Sequence, residues 1–440
     1  REGTPPDITI YAQMVKEFID ALGLSELCIY GFHTGAIIGA EMARLYPDLC
    51  KAVVVNGLWV ADKDEVDLIL QHYTEWYEPT AEGSQMPWIW SRLRDQLIFF
   101  PWFLKEENYR LSFDLPEPEM KQPFVLDLLR TTEEAQTAYR AAFLYPSKER
   151  VQEIKTPTFL LNYQGDPIGS HPQRLEGTPD CIQIELLEDP DAVEARAREI
   201  FKEFSPAKVT IQPQAFVITE KITRPKGFVH TSFGPVFYSQ EMGQSKINEK
   251  MHQTVVFLHD FGTSSNSTIE ISKCCQGADR KLFVDLPGHG ETGLTYLQDY
   301  TPNSMAKMLA EGLMQLNLGR IHLVSIGMSS SIAVELSLID SLKVKQLSFL
   351  DPWFPNASQI DAMRDFYAPD LNPSEYGEHL MRAWYFARDS ELYFPWYDTK
   401  NTNALKREPE IDPQATHRRA VDALKAGEEL KRLARDLIGY

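Results

Sequence analysis

An α/β architecture with mostly parallel sheets is expected here, in two successive, incomplete copies with helical caps. Three features of the 440-residue chain point to it. Short continuous apolar runs alternate with helix-period segments, the pattern of strands covered on both faces by helices. In each half, one such run enters a tight glycine-containing turn and passes straight into a helix of small residues. The chain also repeats itself at long range. Residues 83–103 (GSQMPWIWSRLRDQLIFFPWF) align without gaps with residues 377–397 (GEHLMRAWYFARDSELYFPWY) at an offset of 294, sharing Gly, Trp, Arg, Asp, Phe, Pro and Trp. A repeat this long is a duplicated domain and not a solenoid unit.

The first copy opens with apolar residues at helical spacing over 8–22. Leu27-Cys28-Ile29-Tyr30 reads as a short strand, Gly31-Phe32-His33-Thr34-Gly35 as a tight turn, and 36–45 as a helix closed by Tyr46-Pro47. Ala52-Val53-Val54-Val55 is the next buried strand. Beyond the aromatic repeat come strands at 158–163 and 181–187 and a helix over 191–204. The second copy begins earlier in the same scheme, with strands around 209–219 and 227–239, then 254–258 and 281–285. A helix over 305–316, a strand at 321–324, the turn 327–331, a helix at 332–338 and a strand at 346–350 follow. Its last stretch, 414–433, is amphipathic. Trp59 and Trp353 keep the 294 offset, but Leu22-Gly23 with Leu318-Gly319, and Gly31 with Gly327, match at 296, which sets His33 against Ser329. The expected division is a domain over 1–206, with its cap at about 60–154, and a domain over 207–440, with its cap at about 352–440.

A strand, a Gly-x-nucleophile-x-Gly turn and a helix form the nucleophile elbow of the α/β-hydrolase fold, and both copies resemble that superfamily. In the second copy, Leu258-His259-Asp260-Phe261-Gly262 is similar to the oxyanion-loop motif after strand three. Asp285-Leu286-Pro287-Gly288-His289-Gly290-Glu291-Thr292 is similar to the D-x-P-G-H-G-x-S motif after strand four, and Tyr300-Thr301-Pro302 opens the helix before the elbow. The first copy carries His33-Thr34-Gly35 and resembles a bacterial group whose elbow reads G-x-H-T-G. On this map the first copy starts after strand four and the second ends inside its cap. The absence of an initial Met fits a stretch of a longer tandem protein. The competing expectation is a composite, with strands seven and eight of the first copy docked beside strand six of the second.

The resemblance implies a set of site residues. Ser329 takes the nucleophile position of the second copy and Asp351, after strand six, an acid position. The Ser330 N–H and one from Asp260 or Phe261 would form the oxyanion hole. Asp260 stands where glycine is usual, and a carboxylate pointing inward would repel an oxyanion. In the first copy His33 holds the nucleophile position, Thr34 the following N–H, and Asp166 the acid position after strand seven. No histidine follows strand eight, where the chain reads Leu187-Glu188-Asp189-Pro190-Asp191. His33 paired with Asp166 is therefore a candidate base acting on water. His171, His379 and His417 are not substitutes by position, and His259 and His289 are expected to be structural. Three readings stay open: an esterase-like hydrolase of a small or medium apolar substrate, water activation by His33, and an inactive fold that binds a ligand or partner.

Acidic residues outnumber basic ones 63 to 44, for a formal charge of -19, which disfavours nucleic acid and anionic membrane surfaces as partners. The composition, 43% hydrophobic and 24% charged, is globular. Five cysteines without CxxC spacing argue against a disulfide framework or zinc site and fit a reducing, cytoplasmic setting. No cofactor or metal is expected, since no phosphate loop or ligand cluster is present. A small apolar substrate or ligand is the expected partner, with homo-oligomers through exposed sheet edges or flanking segments.

Overall fold

The computed structural model describes residues 6–131, 133–204, 224–243 and 253–440, and for 133–135 the backbone alone. The expected strand at 209–219 lies outside the described residues. The chain forms two compact units. The first comprises Arg1–Tyr77, Ser91–Pro116 and Thr131–Ile218, and the second Glu78–Trp90, Glu117–Arg130 and Thr219–Tyr440. Two pieces of the first half of the sequence thus belong to the second unit. No helix among the described residues is long and apolar enough to cross a membrane.

The first unit holds a parallel sheet of β1 (Leu27–Phe32), β2 (Cys50–Asn56), β3 (Thr158–Tyr163) and β4 (Ile182–Leu187), in that order. The apolar run of β2 is buried because helices cover both faces, as a parallel sheet requires. On one face, the helix Thr34–Leu45 brings Gly39 against Val53, where an added Cβ would sit 3.4 Å from a Val53 methyl. On the other, the helix Pro190–Glu203 is capped by Asp189, whose carboxylate accepts the Ala192 N–H at 2.8 Å. Its residues Val193, Ala197 and Ile200, spaced for one helix face, pack on Ala52, Val54, Phe159 and Leu161. The strand pairings overturn the composite arrangement: β3 and β4 continue the sheet of β1 and β2, whereas β10 pairs with β9.

The second unit holds six strands: β5 (Lys226–Thr231), β6 (Gly234–Met242), β7 (Gln253–Leu258), β8 (Arg280–Val284), β9 (Arg320–Ile326) and β10 (Val344–Leu350). Their order is β10-β9-β7-β8-β6-β5. β6 runs antiparallel to both neighbours and the remaining pairs are parallel. The single strand expected at 227–239 is a hairpin, because Gly234 takes a left-handed φ of +118° and its carbonyl accepts the Thr231 hydroxyl at 2.7 Å. The terminal amphipathic stretch is two helices, Pro413–Ala426 and Glu429–Ile438, interrupted at Gly427 with φ +55°.

Within the second unit the two aromatic repeats meet reciprocally. A Cβ on Gly83 would lie 2.7 Å from the Trp384 ring, and a Cβ on Gly377 would lie 2.6 Å from the Trp90 ring. Only glycine admits that approach, and both residues have left-handed φ, +76° and +78°. Each repeat also makes the same backbone bonds at the 294 spacing. Phe100 N–H donates to Tyr109 and Phe394 N–H to Asn403; Leu111 N–H donates to Ile98 and Leu405 N–H to Leu392.

Candidate functional site

In the first unit, β1 ends at Phe32 and the helix begins at Thr34, so His33 makes the whole turn. Its φ of +47° and ψ of -109° lie where a side-chain-bearing residue is strained. Glycines make the turn feasible. A Cβ at Gly31 would fall 2.1 Å from the Gly35 carbonyl oxygen, and one at Gly57 would fall 2.4 Å from the His33 ring. The His33 Nε2–H donates to Asp166 Oδ2 at 3.1 Å. Asp166, on the loop after β3, is fully buried in its side chain and accepts the Ile168 N–H on Oδ1 at 2.9 Å. The His33 side chain is 42% exposed. Phe32 stacks on the imidazole with ring centroids 3.9 Å apart. The structure thus brings His33 and Asp166 together, with Thr34 as the first residue of the following helix.

The second elbow is built on a different residue from the one expected. β9 ends at Ile326, and the residue with left-handed φ is Gly327, at +57°. The helix Ser329–Ser337 begins two residues later. By strand end and by the left-handed turn residue, His33 corresponds to Gly327 and not to Ser329. Ser329 is fully buried in the first helical turn. Its Oγ lies 2.9 Å from the Ile326 carbonyl and 3.1 Å from that of Leu258, and accepts the Ile326 N–H at 3.1 Å. That geometry corrects the nucleophile assignment: the hydroxyl is occupied by backbone. The expected role of Ser330 is likewise corrected, since its N–H closes the turn onto Gly327 O at 3.2 Å.

The loop after β7 carries the residue whose effect the sequence left conditional. Asp260 points inward. Its Oδ1 accepts the Phe261 N–H and the Met328 N–H, each at 2.8 Å. A carboxylate of the chain itself thus takes both backbone donors. It fits only because Gly327 has no side chain: a Cβ there would stand 2.2 Å from Asp260 Oδ1. Burial pushes the Asp260 carboxyl up to about 6, against the two N–H groups that favour its anion. Asp351, expected as an acid, follows β10 with φ +46°. Its side chain is 87% exposed and pairs with Arg407 at 3.5 Å.

Asp260 forms the floor of a cavity of about 560 Å³ in the second unit, walled by Phe261, Trp353, Tyr367, Phe386 and Phe394. At its mouth, Arg407 and Arg419 both pair with Glu391. Gly327 and Met328, which make the turn and meet Asp260, were missed from the sequence. The signal was present: Trp59 and Trp353 keep an offset of 294, and carrying that offset back sets His33 on Gly327.

His171, His259, His289, His379 and His417 have structural settings. His259 donates from Nδ1 to the Asp260 carbonyl at 2.8 Å and accepts the Leu286 N–H on Nε2 at 3.0 Å. His289 lies 3.1 Å from the Pro287 carbonyl, and burial drives its imidazole down to about 3. His379 bonds Gln122 at 2.8 Å and His417 the Leu129 carbonyl at 2.8 Å. His171 accepts the Val60 N–H at 3.3 Å, and burial lowers it to about 4. In the aromatic repeats, Asp95 pairs with Lys105 at 2.6 Å and Arg388 with Asp389 at 2.9 Å.

A scan against protein-family models finds no match, and a search of curated proteins finds none. Among solved structures, the chain is similar to Cfl2 from Burkholderia cenocepacia, at 16% identity over 49% of this chain and 75% of that one, with a TM-score of 0.32. It is similar to the carboxylesterase CesB from Bacillus subtilis at 15% identity, over 48% and 64% of the two chains, with a TM-score of 0.33. For the epoxide hydrolase VrEH1 from Vigna radiata the values are 18% identity, 49% and 72%, and a TM-score of 0.35. The architecture itself, helices on largely parallel sheets, is consistent with the α/β-hydrolase fold.

Proposed function

We propose that the chain is a hydrolase of small or medium apolar carboxylic esters, in which His33 acts as a general base on water. The observation that carries this reading is the 3.1 Å bond from His33 Nε2 to the buried Asp166 carboxylate, at a strained elbow that presents the imidazole half-exposed. With Nε2 protonated and bound to Asp166, Nδ1 carries the lone pair. A water proton passes to Nδ1 while the water oxygen adds to the ester carbonyl carbon. Asp166 stabilises the imidazolium that forms, the Thr34 N–H faces the developing oxyanion, and the proton on Nδ1 then goes to the departing alkoxide. Phe32 stacked on His33, and Phe113 lying 3.5 Å from where a Gly165 Cβ would be, offer apolar surface for the acyl group.

The test is initial-rate hydrolysis of p-nitrophenyl butyrate by the full chain. His33→Ala is expected to reduce the rate by about a hundredfold or more, the usual scale of general-base catalysis. Ser329→Ala is expected to leave it unchanged. An enzyme that loses activity in Ser329→Ala and keeps it in His33→Ala overturns the reading. Absence of any hydrolysis above buffer, with the chain folded, favours the alternative of a hydrolase fold that binds without turnover.

A further inference from the structure

The cavity above Asp260 has the walls of a catalytic pocket, but its elbow residue, Gly327, has no side chain to react. Its anion-binding donors are already taken, because the Phe261 and Met328 N–H groups both end on Asp260 Oδ1. An anionic ligand would have to displace that carboxylate. Of the three cations that line the cavity, Lys406, Arg407 and Arg419, the two arginines are already engaged. Arg407 is engaged by Asp351 at 3.5 Å and by Glu391 at 3.3 Å, and Arg419 by Glu391 and by Glu410 at 3.6 Å. The second oxygen of Asp260, in contrast, has no donor among the described residues. It stands on the floor of a cavity of about 560 Å³, a volume in the range of small-molecule sites.

The walls complete the chemistry. Phe261 and Tyr367 lie with centroids 5.8 Å apart, and Tyr367 and Phe394 6.4 Å apart. Trp353 and Phe394 are 6.5 Å apart. The Trp353 indole N–H is buried without a hydrogen-bond partner among the described residues. Aromatic faces around one carboxylate attract a cation with an apolar body twice over, by the ring quadrupoles and by the charge on Oδ2. A chain of net charge -19 steers such a ligand inward and repels anions.

We propose that the second unit binds a small organic cation, an amine with an aromatic or aliphatic body, whose ammonium pairs with Asp260 Oδ2 inside the aromatic walls. The site is a receptor pocket built on a hydrolase scaffold, and it works independently of His33.

The test is calorimetric titration of the full chain, at pH 7.5, with three ligands of matched shape: 2-phenylethylamine, 2-phenylethanol and 3-phenylpropanoate. The amine is expected to bind at least tenfold more tightly than the alcohol, with the carboxylate weakest. Asp260→Asn keeps an acceptor for both backbone N–H groups and is expected to bring amine and alcohol within twofold of each other. Phe394→Ala, a separate change in the wall, is expected to weaken the amine at least fivefold, and near-ultraviolet circular dichroism checks that each variant is folded. His33→Ala is expected to leave all three affinities unchanged, which separates this result from the fate of the hydrolase reading. Tightest binding by the carboxylate, an amine preference that survives Asp260→Asn, or no binding of any of the three overturns the proposal.

Discussion

His33 and Gly327 occupy the same kind of turn, and what differs is what each leaves beside it. At His33 the imidazole reaches a buried carboxylate across 3.1 Å. At Gly327 the missing side chain leaves room for Asp260, which enters and takes two backbone donors. The Asp260 carboxyl is held up at about 6, against an ordinary value of 3.8. Between those two pH values the folded chain keeps a proton there that the unfolded chain has lost. Its stabilising contribution is therefore complete below pH 3.8 and disappears as pH rises through 6. Asp260→Asn removes the charge and keeps the acceptor. It is expected to raise the melting temperature at pH 7.5, by an amount equivalent to on the order of 1–3 kcal/mol, and to have no such effect at pH 3.5. Thermal melts of both chains at the two pH values check this.

At the scale of elements, the aromatic repeats depend on two glycines that face opposing tryptophans. Gly83 and Gly377 both have left-handed φ, and both would drive a Cβ into an indole at under 3 Å. Trp384 is fully buried, so its ring has no open direction in which to move. Gly83→Ala is therefore expected to cost about 2–4 kcal/mol, combining overpacking with backbone strain. The same change at Gly165, whose added Cβ would meet Phe113 only at 3.5 Å, is expected to cost less, from strain alone. Chemical denaturation of the two variants beside the parent gives the comparison. The hairpin of β5 and β6 belongs to the same scale. The apolar pattern of residues 227–239 announced extended chain, but the reversal rests on one glycine carbonyl and one threonine hydroxyl. Periodicity does not register such a bond.

At the scale of the molecule, the units do not follow one cut in the sequence. Glu78–Trp90 and Glu117–Arg130 belong with Thr219–Tyr440. They carry Gly83 and Trp90, which face Trp384 and Gly377, and Gln122, which bonds His379. Lys121, almost wholly buried, lies over the Trp90 ring and 3.6 Å from Glu375. A chain expressed as 207–440 lacks Gly83, Trp90, Lys121 and Gln122 and leaves the Trp384 face open to water. It is expected to melt at lower temperature than the corresponding transition of the full chain and to bind the dye ANS. If 207–440 melts like the full chain and excludes the dye, the interleaving contributes little to stability.

The order of strands and helices, the two elbows as places, the loop at Asp260 and the candidate pairing of His33 with Asp166 were legible in the amino-acid order. Each leaves a local mark, an apolar run, a glycine or a cap residue. Which residue makes the second turn was not. Glycine and serine occur on both sides of it, and the choice between an offset of 294 and one of 296 is settled by where β9 stops pairing with β10 and β7. The inward turn of Asp260 was posed as a condition and answered by packing, since the carboxylate fits only against Gly327, a residue without a Cβ far along the chain. The placement of Glu78–Trp90 and Glu117–Arg130 in the second unit was equally silent, because a tryptophan over a glycine in a distant repeat is a contact in space with no periodicity along the chain.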